Sequence, residues 1–232
     1  MPITSAFAST RLAVFATTAV LASAPAIALV AAAPAASADA CPAVEVVFAR
    51  GTGQAPGVGR EGQAFVDALR TQVNGKSVGV YAVDYPASNE FLQAAAGAND
   101  ASAHVQATAA SCPTTKIVLG GYSQGAAVID AITTAATPTL GFDNILPPEV
   151  ANHVAAVAVF GNPSNKVGQP LTSLSPLYGA KAIDLCNGAD PVCSPGDDRA
   201  AHSLYVQSGL VQQGATFAAN RVLTGQPSTA AA

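Results

Sequence analysis

The sequence predicts an α/β fold in which five strands form a central parallel sheet. From Ala43 onward, short β-branched runs alternate with longer alanine-rich stretches, as expected of strands joined by crossover helices. The runs are apolar along their whole length, which is typical of strands buried on both faces of a parallel sheet. The chain shows no internal repeat, no second composition regime and no long linker. These elements are therefore expected to form one domain.

The predicted strands and helices follow one another in a regular order. The strands fall on five β-branched runs: Ala43–Ala49, Ser77–Val83, Lys116–Gly121, Val154–Phe160 and Lys181–Leu185. Four stretches between and after them fit helices: Glu61–Val73, Asn89–Ser111, Gln124–Thr134 and Leu204–Leu223. Gly97 lies inside the second helical stretch and favours a break there. The small, polar residues 226–232 are expected to fray.

The N-terminal residues 1–40 are predicted to be a signal peptide. Arg11 precedes an uncharged stretch, Leu12–Ser37, and Ala38-Asp39-Ala40 then offers the small residues that a signal peptidase reads. Removal of this segment would leave residues 41–232 as a secreted domain without stable membrane insertion, although it could stay associated with the cell envelope.

Two other interpretations of the N-terminus are open. The apolar run is long enough to span a bilayer as an anchor, but Pro25 and Pro34 interrupt it. A lipid anchor on Cys41 is the other, but a bulky aliphatic residue is expected three positions earlier, where Ala38 stands. Export with cleavage is the favoured interpretation.

Composition restricts the partners of the domain. The 232 residues are 50% hydrophobic and 10% charged, with a net charge of -4. So few Lys and Arg residues leave little basic surface for phosphates, which argues against nucleic acid or an anionic membrane as the main partner. A neutral or apolar substrate is easier to accommodate, and a monomer is expected.

The four cysteines predict two disulfides, because an exported chain folds in an oxidising compartment. Cys186 and Cys193 are the obvious local pair, which leaves Cys41 to pair with Cys112. The second bridge would hold the start of the mature chain beside the third strand. A zinc site would need two closely spaced ligand pairs, and only one exists.

A candidate nucleophile, Ser123, lies in the segment Gly121-Tyr122-Ser123-Gln124-Gly125. An apolar strand precedes this segment and a small-residue helix follows it. That is the context of a nucleophile elbow, in which flanking glycines let neighbouring backbones approach a serine at a sharp strand-to-helix turn. The alternative is that Ser123 only caps the helix.

A serine nucleophile needs a histidine base, and the chain has three histidines. His202 follows the last predicted strand, where the order Ser, acid, His places the base. His104 precedes Ser123 within an alanine-rich helix, and His153 precedes a strand. His153 remains an alternative base, because Asp130, Asp143 or Glu149 lies between it and Ser123 and could serve as its acid partner.

The acid that orients His202 is predicted to be Asp190. It lies just beyond a strand end, inside the loop that Cys186 and Cys193 would close, so its carboxylate would be restricted in position. The alternatives are Asp184, which lies inside a predicted strand, and Asp197-Asp198, which lies in a Pro-Gly loop.

The oxyanion of the tetrahedral intermediate needs two donors. One is the N–H of the residue after the nucleophile, which is Gln124. The other is expected from the loop after the first strand, where Thr52 offers both an N–H and a hydroxyl. One alternative is that Gly51 and Gly53 only form a tight turn. The other is a phosphate-binding loop, which is weaker because no Lys-Ser/Thr pair follows these glycines.

These features together resemble the cutinase family, especially the secreted cutinase-like esterases of mycobacteria. The matching segments are Phe48-Ala49-Arg50-Gly51-Thr52, Gly120-Gly121-Tyr122-Ser123-Gln124-Gly125, Cys186-Asn187-Gly188-Ala189-Asp190-Pro191-Val192-Cys193 and His202-Ser203-Leu204-Tyr205. The resemblance implies a three-layer α/β/α sandwich of the α/β-hydrolase type, with a five-stranded parallel sheet and no large lid. It also implies a triad of Ser123, Asp190 and His202, with Thr52 and Gln124 as the oxyanion hole.

The resemblance further implies a carboxylic ester hydrolase, an esterase or lipase, that acts on short to medium acyl esters without a metal or an organic cofactor. Residues 89–111 do not align with the wall of the family's acyl pocket, so they do not indicate a chain-length preference. Two other functions are open. The same triad could cleave phospholipids or transfer acyl groups to an envelope acceptor, or the chain could be a catalytically silent secreted binding protein.

Overall fold

Five strands form the central sheet of the structure. They are Val44–Ala49 (β1), Val78–Ala82 (β2), Lys116–Tyr122 (β3), Val154–Phe160 (β4) and Ala182–Leu185 (β5). All neighbours pair in parallel, in the order β2-β1-β3-β4-β5, which confirms the predicted sheet. The structure is a computed structural model that describes residues 41–139 and 141–225. The predicted signal peptide, residues 1–40, and the predicted fraying of residues 226–232 lie outside the described residues.

Helices cover both faces of this sheet. They are Gly59–Gln72 (α1), Ala94–Ser111 (α2), Gln124–Thr134 (α3), Pro163–Lys166 (α4), Leu171–Leu174 (α5) and Leu210–Thr224 (α6). Helices α1 and α6 pack together on one face of the sheet, and α2 and α3 pack together on the other. The result is the three-layer α/β/α sandwich that the resemblance implies.

The central strand β3 shows why the sheet needs helices on both faces. Its residues Ile117, Val118 and Leu119 are all fully buried. Because successive side chains of a strand point to opposite faces, Ile117 and Leu119 pack in the core under α2 and α3, and Val118 packs under α1 and α6. An uninterrupted apolar run is what a strand buried on both faces requires.

The prediction that all five strands are buried on both faces is wrong for the edges of the sheet. Most residues of β2 and β5 are only half-buried, and Val80 is 39% exposed. The reason is topological, because an edge strand has a neighbour on one side only. Apolar runs in the sequence do not distinguish an edge strand from a central one.

The expected break at Gly97 does not occur. A single 3-10 turn, Phe91–Gln93, precedes α2, and α2 then continues through Gly97 without interruption. A Cβ atom at position 97 would lie 2.9 Å from the ring of Tyr85. The glycine is therefore explained by the close approach of a tyrosine ring and not by a bend of the helix.

The last helix begins later than predicted, at Leu210 instead of Leu204. Residues 205–209 form turns that end in Gly209, which has a φ of 76°. Residues other than glycine rarely adopt this left-handed conformation. The turn lets Tyr205 point inward toward the carboxyl edge of the sheet.

The loops that follow β1, β3 and β5 converge at the carboxyl edge of the sheet. Strand β1 lies between β2 and β3, so the loop after β1 lies beside the end of β3. Ligands of open α/β sheets bind at such points, where the strand order reverses.

Among the described residues, no helix combines the length and the apolar character needed to cross a bilayer.

Candidate active site

Ser123 lies in a strained turn between β3 and α3. Its φ is 56° and its ψ is -118°, a conformation that non-glycine residues rarely adopt. The N–H of Ser123 donates to the carbonyl of Phe160 at 2.9 Å, so the neighbouring strand β4 holds the turn. The strain points the side chain out of the sheet edge, as in a nucleophile elbow.

The glycines on both sides of Ser123 are required by close packing. A Cβ atom on Gly121 would lie 2.3 Å from the carbonyl oxygen of Gly125. One on Gly125 would lie 2.0 Å from the carbonyl oxygen of Ala49, at the end of β1. Only glycine therefore lets α3 begin so close to the two strands.

Ser123, His202 and Asp190 come together in one chain of hydrogen bonds. His202 Nε2 lies 2.9 Å from Ser123 Oγ, and His202 Nδ1 lies 2.7 Å from Asp190 Oδ2. With the imidazole neutral and its proton on Nδ1, His202 donates to Asp190 and accepts from the Ser123 hydroxyl. This arrangement can remove the serine proton and stabilise the imidazolium that forms.

The Asp190 carboxylate is fully buried and held from several sides. Its Oδ1 accepts from the N–H of Val192 at 2.8 Å. Its Oδ2 accepts from the hydroxyl of Tyr205 at 2.7 Å, in addition to His202. The structure contains the Cys186–Cys193 disulfide, which closes the loop around this residue. The Cys41–Cys112 disulfide is also present and lies away from the site.

Tyr205 is a site residue to which the sequence assigned no role. It is fully buried, and its hydroxyl also accepts from the N–H of Asn187 at 3.1 Å. Burial, and then the nearby Asp190 carboxylate, raise the pKa of Tyr205 well above its usual range. The phenol therefore stays protonated and keeps donating to Asp190. The only sequence signal for this role was the position of Tyr205, three residues after His202.

The imidazole of His202 is fixed by its surroundings. The hydroxyl of Tyr122 donates to the carbonyl of His202 at 2.5 Å, and the two rings stack with their centroids 5.1 Å apart. Behind the imidazole lies Gly161, which has a φ of 61°. A Cβ atom there would lie 3.0 Å from His202 Cε1. A glycine directly after strand β4 was a sequence signal for this close approach.

The alternative bases lie elsewhere. His104 pairs with Glu45 at 3.1 Å and stacks on Tyr81, with ring centroids 3.5 Å apart. His153 lies before the start of β4, at the amino edge of the sheet, opposite Ser123.

The alternative acids are engaged in structural contacts. Asp184 accepts from Asn162 and Asn165, at 2.8 and 2.6 Å. Asp198 accepts from the N–H of Ala200 at 2.8 Å. Within the described part of the chain, no three His, Cys, Asp or Glu side chains are grouped closely enough to hold a metal ion.

Thr52 and Gln124 lie next to each other beside Ser123. The Thr52 hydroxyl donates to Gln124 Oε1 at 3.3 Å, and Gln124 Nε2 donates to the carbonyl of Ser88 at 3.0 Å. These bonds connect three segments of the carboxyl edge. Gln124 is the first residue of α3, so its backbone N–H has no intrahelical partner and faces the region of the nucleophile.

The loop that carries Thr52 is held by buried polar side chains. Arg50 donates to the carbonyls of Gln54 and Tyr85, at 2.9 and 2.5 Å. Gln54 Oε1 accepts from the N–H of Gly51 at 2.8 Å, and Gln54 Nε2 donates to the fully buried Glu61 at 2.7 Å. The sequence did not indicate this support for the loop.

The parallel sheet with its elbow and the Ser-His-Asp arrangement define an α/β-hydrolase fold. Among the described residues, no large lid is inserted over the site. Residues 40–222 match the sequence profile of the family described as Cutinase, and the chain belongs to the cutinase family.

Curated relatives are similar along most of their length. Phospholipase Culp4 of Mycobacterium tuberculosis is 53% identical over 208 residues, which are 88% of this chain and 91% of the relative. Carboxylesterase Culp1 of Mycobacterium bovis is 53% identical over 216 residues, covering 90% and 93%.

Solved structures agree with this assignment. The catalytic core domain of acetyl xylan esterase from Trichoderma reesei aligns with a TM-score of 0.67 and 27% identity, over 78% of this chain and 99% of that one. Trichoderma reesei cutinase in complex with a phosphonate inhibitor aligns with a TM-score of 0.64 and 28% identity, over 78% and 77%.

Proposed function

We propose that this protein is a secreted serine esterase that hydrolyses short- to medium-chain acyl esters through an acyl-enzyme on Ser123. The observation that carries the proposal is the continuous chain of hydrogen bonds from Ser123 Oγ through the His202 imidazole to the buried Asp190. The curated relatives named as carboxylesterases support the same reaction. The domain spans residues 41–232 and acts as a monomer after removal of residues 1–40.

In the first half of the reaction, Ser123 Oγ attacks the ester carbonyl carbon and His202 Nε2 takes the hydroxyl proton. Asp190 holds the imidazole with its Nδ1–H toward the carboxylate and stabilises the positive charge. The collapse of the tetrahedral intermediate expels the alcohol, which takes the proton from His202. Water then attacks the acyl-enzyme, with His202 acting again as base and then as acid.

The negative charge of each tetrahedral intermediate is stabilised by donors near Thr52 and Gln124. The backbone N–H of Gln124 at the start of α3 is one donor, and the helix dipole adds to its effect. The loop around Thr52 supplies the second. The Thr52 hydroxyl donates to Gln124 Oε1, so either this hydroxyl rotates toward the oxyanion or the Thr52 N–H acts as the donor.

The test is hydrolysis of p-nitrophenyl butyrate by the protein and by Ser123→Ala. We expect the variant to lose at least 1,000-fold in kcat, because the residual rate comes from binding and the oxyanion donors alone. Ser173→Ala is a matched control, since this exposed hydroxyl donates to the carbonyl of Pro170 and contacts no residue of the triad network. Undiminished turnover in Ser123→Ala, or no labelling of the folded protein by a fluorophosphonate, would overturn the proposal. A series of p-nitrophenyl esters from acetate to palmitate then defines the acyl preference.

A phospholipase is the second candidate function. One relative at 53% identity is named as a phospholipase. Phe91 and Leu92 lie shortly after Ser88, whose carbonyl accepts from the Gln124 side chain. Their side chains are 66% and 76% exposed, and exposed apolar side chains beside the site suit contact with lipid. Incubation with phosphatidylcholine vesicles and with a short-chain triglyceride, followed by product analysis, separates the two. Release of lysophospholipid faster than of short acyl chains would favour the phospholipase.

A further inference from the structure

The segment that follows strand β4 lies against every member of the proposed triad. The carbonyl of Phe160 accepts from the N–H of Ser123 at 2.9 Å, so it fixes one side of the nucleophile turn. The next residue, Gly161, lies against the other two members. A Cβ atom on it would lie 3.0 Å from His202 Cε1 and 3.3 Å from Asp190 Oδ2. A small displacement of this segment would therefore disturb the nucleophile and its base together.

Asn162 comes directly after Gly161, and its side chain is fully buried. Its Nδ2 donates to Asp130 Oδ1 of α3 at 3.1 Å and to Asp184 Oδ2 of β5 at 2.8 Å. Its Oδ1 accepts from the N–H of Ser164 at 3.2 Å. Both hydrogens of the NH2 group are thus used. One side chain therefore joins the end of β4 to a helix and to the neighbouring strand.

The two carboxylates that hold Asn162 repel each other when both are charged. Burial raises the pKa of Asp130 to about 6; the bonds from Ser164 and Asn162 oppose this shift, and the charge of Asp184 adds to it. Burial also raises the pKa of Asp184. The NH2 group of Asn162 donates to both carboxylates, so it offsets their repulsion. Its contribution should therefore be larger above the pKa of Asp130 than below it.

The other charged side chains on the elements around α3 are engaged elsewhere. Lys166 of α4 donates to a backbone carbonyl at 2.7 Å. Asp100 of α2 accepts from a tyrosine hydroxyl of β2 at 2.9 Å, and His104 of α2 pairs with Glu45 of β1 at 3.1 Å. Lys116 is exposed at the start of β3, and β4 and α5 contain no ionisable side chain. The two carboxylates therefore set the pH response around Asn162.

We propose that Asn162 is a positioning residue for the esterase reaction. It clamps Asp130 and Asp184 together, and through this clamp it holds the two residues before it against the nucleophile and its base. The hydrogen bonds of its side chain go to residues outside the triad, so its effect passes through the backbone. The proposal rests on the proposed esterase function. Undiminished turnover in Ser123→Ala would remove that function, whereas an inactive Ser123→Ala with a parent-like Asn162→Ala would remove this proposal alone.

The first experiment compares Asn162→Ala with the parent on p-nitrophenyl butyrate at about pH 7.5. We expect kcat to fall at least tenfold and KM to stay within twofold, because the triad is displaced and the substrate loses no contact. Asn165→Ala is the matched control and should keep kcat within twofold. Asn165 also donates to Asp184, at 2.6 Å, but it lies in α4, outside the segment that contacts the triad. Active-site titration with a fluorophosphonate gives kcat per folded molecule.

The second experiment repeats the comparison at about pH 5 and about pH 8. The ratio of parent kcat to Asn162→Ala kcat removes the pH dependence that both proteins share. We expect this ratio to be at least threefold larger at the higher pH, where Asp130 and Asp184 are both charged. In an Asp130→Asn background the same ratio should not change with pH, because one of the two carboxylates is gone. A loss of packing alone would give a constant ratio in both backgrounds.

Asn162→Ser decides the question if Asn162→Ala does not fold, since its hydroxyl keeps one donor in a smaller side chain. We expect it to lose kcat about threefold, with the same dependence on pH. Circular dichroism and the melting temperature check that each variant is folded. Any of four results would overturn the proposal: a parent-like kcat, a change confined to KM, equal loss in the Asn162 and Asn165 variants, or a ratio that does not change with pH.

Discussion

At the scale of single residues, Tyr205 shows how a buried group supports an exposed one. Its hydroxyl donates to Asp190 Oδ2, the same oxygen that lies 2.7 Å from His202 Nδ1. Because Tyr205 is fully buried, it cannot touch the substrate. It is a positioning residue, and its effect must pass through the carboxylate.

We predict that Tyr205→Phe lowers kcat about tenfold on p-nitrophenyl butyrate and leaves KM within twofold. The reason is that a hydrogen bond to a charged group contributes about 1.5–3 kcal/mol, part of which orients Asp190. Tyr81→Phe is the control, since it removes a similar bond of 2.9 Å to Asp100 outside the site. Equal loss of kcat in both variants would mean that only general stability is affected.

Asp130 is another buried carboxylate, and it lies outside the triad. It accepts from Asn162 at 3.1 Å and from Ser164 at 2.5 Å. Burial raises its pKa from 3.8 to about 6, against the effect of these two hydrogen bonds. The folded protein therefore holds this proton more tightly than the unfolded chain, so the stability from Asp130 falls as the pH rises from about 4 to about 6.

We predict that Asp130→Asn gains stability relative to the parent by up to about 3 kcal/mol as the pH rises from 4 to 7, since one pKa unit corresponds to about 1.4 kcal/mol. An asparagine can keep both bonds, because its oxygen accepts from Asn162 and its NH2 donates to Ser164. Urea unfolding at a series of pH values measures the difference. Asp67→Asn, at an exposed carboxylate, is the matched control for the removal of one negative charge. A pH-independent difference for Asp130→Asn would contradict the prediction.

At the scale of secondary-structure elements, the junction of β1, β3 and α3 depends on the absence of one side chain. A Cβ atom on Gly125 would lie 2.0 Å from the carbonyl oxygen of Ala49 and 2.5 Å from that of Arg50. Both atoms are backbone and cannot rotate away. The start of α3 and the loop that carries Thr52 would therefore have to move apart.

We predict that Gly125→Ala lowers the melting temperature by several degrees and lowers kcat/KM at least 100-fold, because displacements of about 1 Å at a catalytic site have effects of that size. Gly188→Ala is the control, since nothing lies within 4 Å of a Cβ atom there. Thermal unfolding and p-nitrophenyl butyrate hydrolysis measure the two effects. Parent-like activity in Gly125→Ala would contradict the close packing.

The elements that could be predicted from sequence are those defined by local patterns. Strand β4 and helix α3 begin and end where the apolar runs predicted. The errors arose where tertiary contacts decide. Gly97 accommodates the Tyr85 ring, and the start of α6 is delayed by the turn at Gly209. Neither contact has a local signature.

The candidate site divides in the same way. Ser123, Asp190 and His202 could be selected from chain order and from the disulfide loop, and the structure brings them together. The roles of Tyr205 and of the network behind Thr52 could not be selected. They depend on bonds between segments far apart in the chain, such as that from Gln54 at the loop to Glu61 in α1.

At the scale of the whole molecule, the two disulfides have different tasks. Cys41–Cys112 joins residues 71 positions apart and ties the start of β1 to the end of α2. Cys186–Cys193 joins residues 7 positions apart and encloses Asp190. By loop entropy, the long bridge contributes about 4 kcal/mol to the free energy of unfolding, and the short one contributes about 2.5 kcal/mol. Proximity to Asp190 makes the short bridge the one that affects the reaction.

We predict that Cys41→Ser with Cys112→Ser lowers the free energy of unfolding by about 4 kcal/mol and leaves the kcat of the folded fraction within twofold. Cys186→Ser with Cys193→Ser should lower it by about 2.5 kcal/mol and reduce kcat at least tenfold, because the Asp190 loop loses its closure. Urea unfolding and active-site titration with a fluorophosphonate measure stability and kcat per folded molecule. If both double variants lost kcat equally, the short bridge would have no separate effect on Asp190, and the site would depend on the stability of the whole domain.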